Sequence, residues 1–400
     1  MAALFDPAQP VKEIMMNARL LIAVALPFVF VARDAPHSRL SAGQESLVAP
    51  AAEAVQAPAV VSTIAFTSTR DNHGLEWAVP PIVGGEIYFI DYMSNGTFSA
   101  ARRLTSNMYI DIFPTLSPDG RGKVVFDSNR LRVSSEPFNT SDLFLMNHDG
   151  TDVRFLTRGG SPTWSPPGPN GRASKNIAFH ASASGNGLPV NMFPGSATAD
   201  SDIFTVNVDD LLENGAVPRN LTIDRVATVD DDPNWSPDGR KIIFTSYLIT
   251  DPSTTLTSAE IYIVNADGSA PAQQLTNDGV EKRGPAWSPD GTRILFARRS
   301  GAPNRQGIAT FETCVMDVAT GSVTQLTHHL QADPENRTHL NALTPTWSPD
   351  GQMIVFHWTP SNQLWVMRAD GSGQTQLTVP PGFNLLATSW SVIAVGRSAR

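Results

Sequence analysis

The sequence predicts an all-β protein: a six-bladed β-propeller of four-stranded blades, its ring closed by the C-terminal strand joining the N-terminal blade. Three observations lead there. A short turn motif recurs along the chain, the same succession of apolar segments follows each copy, and the two ends of the array hold complementary fragments of one further unit.

The turn motif occurs as "FPTLSPDG" from Phe113, "SPTWSPPG" from Ser161, "DPNWSPDG" from Asp232, "GPAWSPDG" from Gly284 and "TPTWSPDG" from Thr344, with a truncated "ATSWSVI" from Ala387. Its serines lie 43 to 71 residues apart, so the unit is fixed and the insertions vary. Self-similarity of this kind marks solenoids, propellers and arrays. Within the motif, Pro237 presets the backbone for the first turn position and Asp238 suits the second. Gly239 supplies the left-handed conformation that closes a hairpin, and Trp235 offers a large apolar surface between blades. Ser236 and Asp238 are therefore read as turn residues, not as catalysts.

The strands come next. After each turn stands an apolar segment ("KVVFDS", "NIAFHA", "KIIFTS", "RILFAR", "MIVFHW"), then a second ("DLFLMNHDG", "DIFTVNVDD", "EIYIVNADG", "FETCVMDVATG", "QLWVMRADG"), then a closing "LT". With the strand that carries Trp-Ser, that makes four strands per unit. They are apolar on both faces, as expected of sheets stacked face to face. At the ends, "VVSTIAFTSTR", "EIYFIDY" and "ARRLT" form a unit without its Trp-Ser strand, and "LLATSWSVI" is a Trp-Ser strand without its unit. Joined, they make the sixth blade and remove an exposed sheet edge.

The remaining composition agrees. Gly (29) and Pro (31) are plentiful and charged residues are only 17% of 400, which suits short strands and many turns. A net charge of -9 argues against nucleic acid as a partner. The single cysteine, Cys314, excludes an internal disulfide and reads as a buried small hydrophobe. Near the start, Arg19 precedes a 13-residue apolar run from Leu20. That is short of the ~20 residues of a membrane span and has the form of a secretory signal. Residues 1–35 are read as a signal peptide or N-terminal anchor, 36–59 as an Ala/Pro-rich linker and 60–400 as the propeller. The expected location is periplasmic or secreted.

The five turn motifs in register, with their strands, resemble the repeats of the TolB-type six-bladed propeller family over roughly residues 60 to 391. The resemblance implies the fold; such propellers serve many roles. The sequence departs from TolB itself, which carries a sizeable α/β domain before its propeller, where here a short linker stands. Propellers of this type also precede the catalytic domain of some serine peptidases, but no G-x-S-x-G occurs in the chain.

In a propeller of this topology the Ser-Pro-Asp-Gly and Ala-Asp-Gly turns share one rim, and the long, varied connections share the other. Irregular loops on a rigid scaffold are where binding usually resides. The sequence thus places a ligand site on the variable rim, at the mouth of the central channel. The candidate residues there are Asp111, Asp127, His180, Asp230, Asp231, Glu281, Arg283, His339 and His357. Arg158, Asp232 and Asn341 occupy similar approach positions. No resident cofactor is expected; if a metal binds, oxygen donors dominate and Ca²⁺ is the divalent ion they suit. The function expected is non-enzymatic, a monomeric module that binds a protein or an envelope component. The alternative is a carbohydrate-active lyase or hydrolase with a metal-assisted site, because some propellers resembling this one act on sugars. His180, His339 or His357 would then supply acid–base chemistry. A purely structural scaffold shares the features of the first reading.

Overall fold

The protein was analysed as a computed structural model, which describes residues 58–69, 85–107, 109–118, 122–131, 140–167, 175–182, 190–191, 200–225, 228–248, 259–301, 310–328, 342–358, 363–378 and 384–391. The expected signal peptide, most of the linker and most of the long variable-rim connections lie outside these residues. The described residues belong to one unit, Gln56–Arg400.

The fold is all-β, a propeller of stacked antiparallel sheets. In chain order the strands are β1 (Val60–Ser68), β2 (Glu86–Met93) and β3 (Arg102–Arg103); then β4 (Asp111–Leu116), β5 (Lys123–Ser128), β6 (Thr140–Asn147) and β7 (Arg154–Arg158). Next come β8 (Gly160–Trp164), β9 (Asn176–Ser182), β10 (Val190–Asn191), β11 (Ser201–Asn207), helix α1 (Val208–Asn214) and β12 (Arg219–Asn220). β13 (Thr228–Trp235), β14 (Lys241–Leu248), β15 (Ala259–Asn265) and β16 (Gln273–Gln274) follow. The last are β17 (Lys282–Trp287), β18 (Arg293–Ser300), β19 (Thr310–Asp317), β20 (Val323–Gln325), β21 (Ala342–Trp347), β22 (Met353–Trp358), β23 (Gln363–Arg368), β24 (Thr375–Gln376) and β25 (Asn384–Ser391).

Hydrogen bonding groups these strands into five sheets where the sequence anticipates six separate ones. The difference has a local cause. One parallel pair, Ser201 with Val229, joins the strands β8, β9, β11 and β12 to β13–β16 in an eight-stranded sheet. β10 adds a fifth strand to the β4–β7 sheet by pairing with Ser141 and Thr140. β25 pairs antiparallel with β1, from Thr63↔Ser391 to Ser68↔Asn384. The segment read as the strand "DIFTVNVDD" ends at Asn207, and from Val208 the chain winds α1. Asn207 caps it by accepting from the amides of Asp209 and Asp210, and Gly215 ends it at φ 63°.

Alternate residues of a strand point to opposite faces, so each apolar strand serves two interfaces. In β14, Ile242 and Phe244 pack with Ala178 and Ile203 of the preceding sheet strands, while Ile243 packs with Ile294 and Phe296 of the next. The same holds at the ends: Ile64, Phe66 and Tyr88 pack against Val355 and Leu364 of β22 and β23. Trp235 lies in such an interface, as its position in the motif suggests.

Two side-chain locks recur. In the turn, Ser236 Oγ donates to Asp238 Oδ1 at 2.6 Å and accepts from Lys241 N at 2.9 Å, and Gly239 sits at φ 69°. Ser288 with Asp290, and Ser348 with Asp350, repeat the arrangement. The motif's polar side chains are thus consumed by the turn itself. The second lock explains the closing "LT". Thr276 Oγ1 donates to Glu260 Oε2 at 2.5 Å and accepts from Ile261 N at 2.9 Å. Thr105 with Glu86, Thr222 with Asp202, Thr327 with Glu312 and Thr378 with Gln363 do the same. Each outer strand is only two or three residues long where it follows these pairs, so this buried hydroxyl does much to fix its end.

This second lock can be checked. Thr327→Val should lower stability by ~1–3 kcal/mol, because a buried carboxylate loses its donor and a buried amide its acceptor. Thr320→Val, whose hydroxyl bonds only within an exposed turn, should change it by no more than ~0.5 kcal/mol. Urea denaturation midpoints of the two variants would separate these outcomes.

Candidate functional site

The site begins with a proline. Each of the inner strands β4, β8, β13, β17 and β21 has an X-Pro pair before its final residues, and each breaks register with its neighbour there. Proline has no amide hydrogen to give to the ladder, so a bulge accommodates it. The residue before it turns to the left-handed region: Phe113 at φ 50°, Ser161 at 48°, Asp232 at 51°, Gly284 at 54° and Thr344 at 47°. For the four non-glycine residues this conformation costs roughly 1–3 kcal/mol each. It re-aims these residues, and all five line a narrow cavity of ≈ 80 Å³. Towards the turn rim a wider cavity of ≈ 370 Å³ opens, walled by Trp164, Trp235, Trp287 and Trp347 and by turn-motif prolines.

Three expected site carboxylates turn inward instead. Asp111, Asp230 and Glu281 are buried. Asp111 accepts from Ser128 Oγ at 2.6 Å, Asn107 Nδ2 at 2.7 Å and Arg130 Nη2 at 2.9 Å. Asp230 accepts from Ser246 Oγ at 2.6 Å and pairs with Arg225 Nε at 3.2 Å. Glu281 takes Arg283 Nε at 2.7 Å and Arg299 Nη2 at 3.4 Å. Burial pushes Asp230 up to about 6 despite the neighbouring Arg225. Arg283, expected as a rim residue, lies over the Phe311 ring at 4.9 Å. These four residues tie β4, β13 and β17 to neighbouring segments of the wall. Arg158 similarly approaches the buried Asp142, at 3.8 Å.

Asp127, His180 and Asp231 do converge, and Asp232 joins them. His180 Nδ1 lies 2.5 Å from Asp231 Oδ1. Asp127 Oδ2 accepts from Ser141 Oγ at 2.9 Å and from Ser161 N at 3.1 Å. Asp232 Oδ2 accepts from Gly284 N at 3.1 Å, and its Oδ1 has a long contact of 3.5 Å from Ser161 Oγ. The chain of contacts therefore runs from β5 through β8, β9 and β13 to β17. Gly160 makes room: a Cβ there would stand 2.8 Å from His180 Nε2 and 3.0 Å from Asp127 Oδ2.

The electrostatics divide the group. Burial pushes Asp127 up to about 8, against the pull of His180. Burial and the adjacent Asp231 charge push Asp232 up to about 7. Burial works against a charge on His180, but the carboxylates around it win and raise its pKa. Burial alone would raise Asp231; the His180 partner outweighs it and holds the carboxyl below its usual range. The group is thus an imidazolium–carboxylate pair flanked by two carboxyls that hold their protons near neutrality.

The other histidines differ. His357 is buried in β22, neither ring nitrogen has a hydrogen-bond partner among the described residues, and burial lowers it to about 4. It is neutral at physiological pH. His339 and Asn341 lie outside the described residues. Among the described residues no three His, Cys, Asp or Glu side chains converge as metal ligands. Sequence reasoning missed Ser161, Gly284 and Thr344 as channel residues; the signal was the residue before Pro in each x-P-x-W.

The pH dependence of stability follows. Asp127, Asp232 and Asp230 have raised folded values of about 8, 7 and 6, so the stability they contribute is complete below 3.8 and is lost as pH rises to those values. His180, also raised, adds stability below 6.5 that is lost above it. Asp231, lowered, acts oppositely and only below 3.8. The urea midpoint should fall from pH 5 to about pH 8. Asp127→Asn should flatten the upper part of that slope; an unchanged slope would show that Asp127 is ionised in the folded protein.

Comparison with known proteins agrees with this architecture. The family model described as the TolB beta propeller domain matches residues 176–394. An uncharacterized peptidase, YuxL, of Bacillus subtilis is 30% identical over 157 residues, 31% of this chain and 21% of that protein. The Tol-Pal system protein TolB of Anaeromyxobacter dehalogenans is 32% identical over 107 residues, 26% of this chain and 20% of that protein. The chain thus spans only about a fifth of the length of these relatives. The crystal structure of TolB from Acinetobacter baumannii superposes with a TM-score of 0.54 at 20% identity, covering 82% of this chain and 66% of that one. The match to more than half of the sequence, on the strands and turns described above, establishes that this chain belongs to the TolB beta-propeller domain family.

Proposed function

We propose that the protein is an exported, non-enzymatic binding module that engages a protein or cell-envelope component through the rim of long connections. The observation that carries this reading is the fate of the charged residues. Asp111, Asp230 and Glu281 are neutralised by arginines within the wall. His180 and Asp231 are spent on each other. What the fold presents outward is rim surface, and that rim exposes Tyr109, Leu131, Ile223 and Leu248, 40% to 73% accessible. Large apolar side chains at an irregular rim suit contact with a macromolecule. Tol-Pal system proteins among the relatives support an envelope setting. In this reading residues 1–35 direct export and the module acts as a monomer in the periplasm or outside the cell.

The ring has six blades in this proposal, the two halves of the eight-stranded sheet counting separately. The pairing of β25 with β1 supports closure, as does the packing of Val355 and Leu364 on the N-terminal strands. The carbohydrate-active alternative has less support, because His357 is sealed from solvent and neutral and His180 is held by Asp231.

Site-specific photocrosslinking tests the rim. A benzophenone side chain at Ile223 or Leu248 should capture a discrete partner from envelope extract. The same probe at Val217, which is 89% exposed beside α1 on the turn rim, should not. Capture at Val217 alone, or at none of the three, rules the proposal out.

A further inference from the structure

The two channel cavities adjoin, with Thr163, Asn234, Ala286 and Thr346 lining both. Among the described residues the wide one has no ionisable side chain in its lining; its wall is indole, proline, Leu116 and small polar residues. The narrow one has, among the described residues, a single ionisable side chain in its lining, Asp232. A solvent-reachable apolar vestibule therefore leads to one carboxylate at its neck. Among the described residues that carboxylate is under-used: Oδ2 has one amide donor, and Oδ1 has only the 3.5 Å contact from Ser161. Thr344 lines the same neck, and its Oγ1 has no hydrogen-bond partner among the described residues.

The chemistry that fits is a cation with several donors and no acceptor, on an apolar stem. A primary ammonium has three donors. An anion would face Asp232 without a counter-charge, and a neutral alcohol would leave the carboxylate uncompensated, which is costly in a confined site. A neck of ≈ 80 Å³ suits an ammonium head, and a vestibule of ≈ 370 Å³ suits a short alkyl chain. We propose that the channel binds a small linear aliphatic amine from the turn rim, its ammonium donating to Asp232, Thr344 Oγ1 and Ser161 Oγ and its stem lying against the tryptophan–proline wall. The surroundings favour a cation further. Asp231 stands behind Asp232, and His180 offsets one carboxylate only. The Arg283 guanidinium is engaged by Glu281. Asp127 holds its proton, and the Tyr247 hydroxyl stays neutral because burial raises its pKa. The vestibule that admits the ligand is lined by turn-motif residues, on the side of the neck away from the proposed partner rim, so either reading can fail alone.

Because Asp232 must be ionised to receive an ammonium, its proton near neutrality competes with the ligand. Calorimetric titration of the whole protein with n-pentylamine should show one site per chain. Its affinity should rise on going from pH 6 to pH 8, across the Asp232 value of about 7. n-Pentanol should bind at least ~tenfold more weakly, and Asp232→Asn should weaken the amine by at least ~tenfold and remove the pH slope, as loss of one charge-assisted partner implies. Thr344→Val, a near-isosteric change, gives a second variant that should weaken the amine and leave pentanol unaffected. Equal binding of pentylamine and pentanol, or no heat with pentylamine, overturns the proposal. So does binding of N-acetyl-lysine amide alone, which would identify a polypeptide lysine as the occupant.

Discussion

The feature on which the rest depends is the missing amide hydrogen of one proline in each of five inner strands. At Pro114, Pro162, Pro233, Pro285 and Pro345 the ladder cannot continue, and the strand bulges. The preceding residue is driven to positive φ whatever its side chain, even β-branched Thr344. Because the bulges fall at one level around the axis, they set the neck of the channel. They also bring the side chain of Ser161 to that of Asp232 within the eight-stranded sheet, and Asp232 to the amide of Gly284 in the next sheet. Local strain at each position is therefore what permits the cross-sheet contacts, and the broad apolar interfaces supply the stability that offsets it.

Charge is then distributed by how deep a residue lies relative to that level. Before the bulge, inner-strand carboxylates meet arginines and serines and are neutralised inside the wall. One step on, Asp231 finds His180 on a neighbouring strand set. At the bulge itself, Asp232 reaches the channel. Three consecutive aspartates thus have three environments, and their protonation diverges accordingly: Asp231 is held ionised, while Asp230 and Asp232 are pushed up. Desolvation raises all three, and only Asp231 has a partner strong enough to reverse it.

Much of the fold was legible because its signals are local. The Ser-Pro-Asp-Gly turn contains its own hydrogen-bond partners within five residues, so its chemistry reads directly from the letters. The "LT" closure was visible as a pattern, but its purpose needed the facing carboxylate, some fifteen to twenty residues away in a neighbouring strand. The candidate site was legible only in part. Asp127, His180 and Asp231 were found because the residue after the strand phenylalanine and the approach to each inner strand both face the variable rim. Asp111, Asp230 and Glu281 passed the same filter, and nothing in the order of residues told that arginines would cover them. His357 matched His180 in position, yet among the described residues no carboxylate pairs with it.

The sequence by itself determined the repeating unit, its turns and its two-faced apolar strands, and so the class of fold. These follow from backbone rules and from side-chain alternation that act over a few residues. Only the tertiary structure decided which charges are spent and which is left facing the channel. That outcome depends on contacts such as Asp232 with Gly284 and Asp127 with Ser161, between residues 52 and 34 positions apart. It also depends on burial, which fixes the protonation of each carboxyl. Neither quantity is a property of any short stretch of chain; both arise when separate sheets stack and exclude water.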